Sequence, residues 1–216
     1  MTDPTLDQMR GTLSAELPHH AAFDGWTPAA LAMAAQATGI DPNIATLAFP
    51  GGAVEMIDGW FAQIDRRMLE AVPPERAATM KIREKIAALV EARIDAMAPD
   101  IEALRRALAI LALPQNLPHA AKLGWRAADA VWRAAGDVST DFNHYSKRTL
   151  LAGIYTATIM AMLDDQSEGL IETRAFLARR IDNVMQFEKF KGRFTHSAPE
   201  RLSLARFLGR LRYPAV

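Results

Sequence analysis

Two four-residue spacings in this chain could hold iron. Glu16-Leu-Pro-His19 and Asp141-Phe-Asn-His144 each set a carboxylate and an imidazole three residues apart, one turn of a helix. A diiron carboxylate bundle needs two Glu-x-x-His pairs on facing helices and one Glu from each of two more. Neither stretch fits. Pro18 stands inside the first and is expected to end its helix. The second carries Asp rather than Glu and sits at a helix start. His20, His119 and His196 are read as loop or end positions without a matching carboxylate. The chain has no Cys, which removes thiol nucleophiles, thiolate metal sites and disulfides. It has no G-x-S-x-G, no Walker loop and no G-x-G-x-x-G. The sequence therefore predicts neither a catalytic group, a metal site nor a resident cofactor.

The densest polar cluster is "AGDVSTDFNHYSKRTLLAGIY", Ala135 to Tyr155. Gly136 is placed to end one helix, and Ser139, Thr140 or Asp141 to cap the next. Capping does not account for Asn143, His144, Lys147 and Arg148, which share one side of a helical wheel. Farther along, Leu151, Ile154, Tyr155, Thr158 and Met162 line that side, and Phe142, Tyr145, Ala152, Ile159 and Leu163 the other. An apolar surface all round predicts a buried helix. Its first two turns are expected at the surface, either simply solvated or as a docking patch, since exposed Tyr and Arg are common interface anchors.

Pro and Gly divide the rest into helical lengths. A first helix is expected over about 5–17. "WTPAALAMAAQATGID" places Thr27 as N-cap, Pro28 at the first helical position and Gly39 past the end, and Asp41 with Pro42 repeats that start. Val54, Ile57, Phe61, Ile64 and Met68 recur at helical spacing before Pro73 and Pro74. One helix follows from about 74 to 97, another from Pro99 to about Leu113, then a loop and helices over about 119–135, 141–163 and 168–187. "KGRFTHSAPE" reads as a linker. Sparse Val, Ile and Thr and no strand-like alternation predict an all-α chain. No apolar run approaches the roughly 20 residues that cross a bilayer, and the polar start lacks an apolar targeting core. These features place the protein in the cytoplasm.

Net charge is zero but unevenly placed. Up to Trp60 seven acids face one base, Arg10, whereas from Met185 onward seven cations face Glu188 and Glu200. The helix–turn–helix over 28–48 resembles the DNA-binding head of TetR-type regulators. Its second helix, "DPNIATLAF", has no Lys or Arg, and phosphate neutralisation supplies most non-specific DNA affinity. The head is expected not to bind nucleic acid. In the tail "PERLSLARFLGRLRYP", Leu204, Phe207, Leu208 and Leu211 fall at i, i+3, i+4 and i+7, with Arg206 and Arg210 among the flanking cations. That pattern suits an anionic membrane surface, or packing onto the body or a second copy.

"AGDVSTDFNHYSKRTLLAGIYTATIMAML" followed by "ETRAFLARRI" resembles the ubiquinone (coenzyme Q) biosynthesis accessory family, that of the ninth Coq protein. "FDGWTPAALAMAAQATGID" and "FPGGAVEMIDGWF" resemble the family's front end, so the similarity runs from about residue 20 to 190. The resemblance implies a TetR-like fold, a non-catalytic role, a bound isoprenoid or quinone lipid, a demethoxyubiquinone hydroxylase as partner, and a C-terminal amphipathic helix at the membrane. It puts the docking patch on Asp141, His144, Tyr145 and Arg148. His144 stands where the family usually has Trp, which removes a large apolar anchor. Ile159 replaces a usual acid, which makes the helix more apolar. Ile154, Tyr155, Ile159, Met162 and Leu163 are the implied lipid contacts.

The expected architecture is an all-α, TetR-like bundle: a helix-turn-helix-like head over 1–50, a lipid-binding bundle over 51–187, and a linker with a basic amphipathic helix over 188–216. The expected function is to bind a polyprenyl quinone intermediate and present it to the hydroxylase, as a homodimer held peripherally on the cytoplasmic face of the inner membrane. The alternatives are a TetR-like ligand-responsive transcription regulator and a purely structural protein with a filled core.

Overall fold

A computed structural model describes the backbone of residues 4–140 and 142–196, and the side chains of 4–140 and 143–183. Every regular element among them is helical: α1 Leu6–Asp24, α2 Pro28–Thr38, α3 Pro42–Ala48, α4 Ala53–Ala71, α5 Pro74–Ala78, α6 Ile82–Met97, α7 Ile101–Leu111, α8 Leu117–Ala134, α9 Phe142–Asp164 and α10 Ile171–His196. Short 3-10 turns lead into α7, α8 and α10. The all-α expectation holds.

Local chemistry sets the front end as read. Thr27 accepts from the Ala30 N–H, Pro28 opens α2, and Gly39 closes it at φ 69°, the left-handed cap that suits glycine. Asp41 accepts from the Asn43 N–H to start α3. Pro18 does not end α1, which runs on to Asp24. Leu13, Leu17 and Ala21 repeat every four residues and are fully buried. A proline inside a helix costs about 3 kcal/mol, and burying two leucines on one stripe returns a comparable amount. A side chain at Gly59 of α4 would collide with Ser14, so α1 and α4 pack backbone-close at this point.

Three other boundaries move. The helix expected over 74–97 is broken at Met80–Lys81, and the Lys81 N–H is taken by the Glu84 carboxylate to begin α6. α8 starts at Leu117, inside the expected loop. The α10 backbone continues to His196, through the first six residues of the expected linker.

The head is not a separate body. One hydrophobic cluster runs from Leu13 to Ile181. Trp26 donates its indole N–H to the Ala103 carbonyl of α7 (3.0 Å), and its ring lies 5.4 Å from that of Trp60 in α4. α8 packs on α9, and α10 on α9 and α6. Arg174–Asp95 and Arg83–Asp182 tie α10 to α6 near both ends of α6.

Candidate functional site

The polar cluster between α8 and α9 is an interior ion-pair system rather than a solvated helix start. Gly136, at φ 88°, turns the chain out of α8 and delivers Asp137 into the joint. Asp137 takes hydrogen bonds from Lys147 Nζ (2.8 Å), Arg148 Nη1 (3.0 Å) and the Ser139 hydroxyl (2.7 Å). Arg148 Nε donates to Asp129 Oδ1 at 2.6 Å, and Arg133 reaches the other oxygen of Asp129 at 2.8 Å. Burial pushes the Asp137 carboxyl up, but the hydrogen bonds from Lys147, Ser139 and Arg148 outweigh it and hold it well below the usual carboxylate range. Asp129 is lowered in the same way, with Arg148 and Arg133 overcoming burial.

Arg148 was expected to face a partner. Its side chain is 2% exposed, and its donors go to Asp129, Asp137 and the His144 carbonyl. It positions the start of α9 and offers nothing to solvent. The Ser139 hydroxyl donates to Asp137. Asp141 lies outside the described residues.

The other two expected docking residues do reach the surface, with a companion the sequence reading missed. Tyr145 is 61% exposed. His144 lies 5.1 Å from it, ring centre to ring centre, and Trp125 of α8 stands 6.0 Å from Tyr145 and 6.4 Å from His144. His144 Nδ1 is 2.9 Å from the Ser139 carbonyl, which fixes the imidazole. Val138, 91% exposed, stands in the turn just before. Trp125, Asp129 and Trp132 repeat at i, i+4 and i+7, so one face of α8 carries the contacts to α9. That spacing was the available signal.

The expected lipid contacts divide by depth. Tyr155, Ile159 and Met162 belong to the core, while Ile154 and Leu163 are half-buried against it. α9 is not buried all round, because Gly153, Thr156, Ala157 and Met160 form an exposed outer face. The hydrophobic helix is one layer thick with solvent behind it. A surface hollow of about 540 Å³ is lined by Phe176, Arg179, Arg180, Asp182 and Asn183, and a second of about 450 Å³ by residues of α1 with Arg66. Neither is lined by an expected lipid contact, and Tyr155 is buried in the core.

A second charged system lies inside the bundle. Arg93 of α6 pairs with Asp65 of α4, and Arg126 of α8 pairs with Asp58 and, at 3.5 Å, with Asp65. The Arg93 guanidinium carbon is 4.9 Å from the Tyr155 ring centre. The Tyr155 hydroxyl donates to Met97 Sδ at 3.8 Å. Burial pushes this phenol up, beyond what the Arg93 cation takes back, so it is a proton-bearing donor.

Three other histidines lie beside carboxylates: His19 near Asp100 (3.1 Å), His20 near Glu16 one turn back (3.2 Å), and His119 3.9 Å from Asp58. Among the described residues no group of three or more His, Asp or Glu is arranged to hold a metal ion, and no helix is long and apolar enough to cross a membrane. Leu204, Phe207, Leu208, Leu211, Arg206 and Arg210, the expected membrane face, lie outside the described residues. In the head, Arg10 is bound to Glu55 and the Ala48 carbonyl.

Comparison with known proteins agrees with this layout. The sequence model of the COQ9 family matches residues 117–188, that is α8, α9 and most of α10. The ubiquinone biosynthesis protein COQ9, mitochondrial, of Rattus norvegicus is 36% identical over 168 residues, 74% of this chain and 54% of that protein. The human protein of the same name is 34% identical over the same length, 52% of its own. The chain thus spans about half the length of the curated relatives it matches. Among solved structures, a TetR transcriptional regulator from Nitrosomonas europaea superposes with a TM-score of 0.66 at 24% identity, covering 82% of this chain and 98% of that one. That likeness concerns the fold alone. The α8–α9 joint, with its ion pairs and aromatic cluster, lies inside the matched segment, and the chain is similar over most of its length to the COQ9 family of ubiquinone biosynthesis proteins, on a TetR-like all-α fold.

Proposed function

We propose that the chain is a non-catalytic accessory protein that binds a polyprenyl quinone intermediate and presents it, at the membrane surface, to a demethoxyubiquinone hydroxylase. The observation that carries this reading is the aromatic cluster of exposed Tyr145 with half-buried His144 and Trp125, fixed from beneath by buried Arg148. Rigid aromatic side chains on a preorganised base are what interface anchors are made of. Where the family usually has Trp at position 144, this chain has His, and Trp125 supplies a large apolar ring beside it. Tyr155, Ile159 and Met162 provide an apolar inner face on the same helix, so lipid and partner would meet on α9. The exposed small residues of α9 suit a second copy of the chain. The basic amphipathic sequence over 199–216 suits the cytoplasmic face of an inner membrane.

Two experiments test this reading. Mass spectrometry of an organic extract of the gently purified protein should find a polyprenyl quinone or its precursor near one per chain. The full chain should also capture a demethoxyubiquinone hydroxylase, and Tyr145→Ala should lose it. A lipid-free protein that stays lipid-free after exposure to quinone-bearing liposomes would overturn the carrier role.

The regulator reading draws on the TetR-like fold. Against it, α3 offers Asn43, Thr46 and Leu47 to solvent rather than cations. The head's one Arg is already paired inside. DNA binding that weakens with salt would restore that reading.

A further inference from the structure

Arg93 and Tyr155 stand side by side in the core between α4, α6 and α9, the guanidinium acting on the phenol oxygen, and each keeps a donor that is poorly matched. Arg93 is 1% exposed, and its Nε–H has no hydrogen-bond partner among the described residues. Tyr155, 4% exposed, gives its hydroxyl proton to a thioether 3.8 Å away, and sulfur of this kind is a weak acceptor. Unpaired donors in a native core are costly and uncommon, and each calls for an explanation. The ion pair with Asp65 accounts for a cation at position 93 but not for its unmatched Nε–H, and a Phe at 155 would fill the space of the Tyr ring.

The charges around the pair narrow the ligand. Asp58 and Asp65 are matched by Arg93 and Arg126, so the cluster is already neutral. A carboxylate or phosphate would bring an uncompensated charge into the interior. A neutral acceptor would not. On α9, Ile159 and Met162 continue the Tyr155 face one and two turns further on, and both are buried. A neutral oxygen acceptor followed by an apolar run describes a quinone ring with a polyprenyl tail.

We infer that Arg93 and Tyr155 form the headgroup-recognition pair of a quinone site, in which a ring carbonyl takes the hydrogen bonds that Met97 Sδ and the vacant Arg93 Nε–H leave unmade, and the tail runs along Ile159 and Met162. This inference rests on the quinone-carrying role proposed above. Met97 is the residue to be displaced. It is unbranched and fully buried, and a flexible thioether can repack around a ligand more readily than a branched side chain. α9 is the single layer between the pair and solvent, since Gly153, Thr156 and Ala157 on its far side are exposed. Entry therefore requires the middle turns of α9 to move outward, past the first turns that the α8–α9 joint anchors.

The test is a titration of the purified full chain with two probes: a ubiquinone carrying a short isoprenoid tail, and a hydrocarbon of that tail length without the ring. The wild type should prefer the quinone. Tyr155→Phe, which removes one oxygen and keeps the ring, should weaken the quinone about tenfold, the scale of one buried hydrogen bond, and leave the hydrocarbon unchanged. Arg93→Lys keeps the charge facing Asp65 and loses Nε, and should shift quinone binding in the same direction. Met97→Leu removes the competing thioether and should tighten the quinone a few-fold. Thermal unfolding of each variant checks that the fold is kept, and Tyr155→Phe alone suffices if Arg93→Lys fails to fold. Wild-type quinone affinity in Tyr155→Phe would overturn the inference and leave the carrier role standing. Absence of quinone binding by the wild type would overturn both.

Discussion

Two regions of this molecule are each organised around a buried arginine, and the two arginines are used differently. In the α8–α9 joint, Arg148 is held by Asp129, Asp137 and the His144 carbonyl. In the α4–α6–α9 core, Arg93 pairs with Asp65 while its Nε is unmatched. The first arrangement is closed and rigid. It sets the angle at which α9 leaves α8 and so fixes the aromatic face above it. The second leaves one donor, the Arg93 Nε–H, unmatched inside the bundle. Saturation marks the residue that builds the surface, and incompleteness marks the residue left free to meet something else.

The largest expected effect tests that contrast directly. Arg148→Met takes the buried cation that Asp129 and Asp137 share, leaving them Arg133 and Lys147, and should cost about 3–4 kcal/mol in urea unfolding, the lower part of the range for removing one partner of a buried ion pair. Arg93→Met strands only Asp65, which still has Arg126 at 3.5 Å, and should cost about 1–3 kcal/mol. Equal losses would break the comparison.

Acid should weaken the joint. Asp137 and Asp129 are held below the ordinary carboxylate value, so the unfolded chain takes up protons at a higher pH than the native one. Their contribution is complete above the unfolded Asp value of about 3.9 and is lost as pH falls through the lower folded values. Stability measured between about pH 5 and 2 should fall steeply in the wild type and less steeply in Asp137→Asn, which starts from a lower stability. Parallel curves would show that the joint does not govern acid unfolding.

At the surface, Tyr145→Ala should cost about 2 kcal/mol in hydroxylase binding, a typical anchor loss, and leave unfolding within about 0.5 kcal/mol of wild type. A matching loss of stability would make Tyr145 part of the scaffold rather than of the docking face. The smallest effect is at Gly153, exposed in mid-helix with nothing within 4 Å of where a Cβ would stand. Gly153→Ala should stabilise the chain by up to about 1 kcal/mol. If a second copy packs on that face, the same change should weaken self-association in sedimentation.

Much of the fold was legible because its signals are local. Thr27, Pro28, Gly39, Asp41 and Pro42 act on backbone groups one turn away or less, so their types and spacing alone place α2 and α3. The all-α class follows from composition and period in the same way. Pro18 was misread because its cost is local while its compensation, the burial of Leu13, Leu17 and Ala21, is tertiary. Arg148 was read as a surface group because it sits among polar neighbours in the chain, yet the carboxylates that claim it are 11 and 19 residues away.

What the sequence determined by itself is therefore the helices, most of their caps, the acidic head with its single Arg, and the likeness to the COQ9 family. The tertiary structure decided which polar residues are spent inside and which remain outside: Arg148 beneath the joint, Tyr145 and Trp125 above it, Arg93 beside Tyr155 in the core. The reason is that burial and pairing depend on partners from other helices, such as Asp65 for Arg93 at a separation of 28 residues, and no spacing along one helix encodes where another helix will lie.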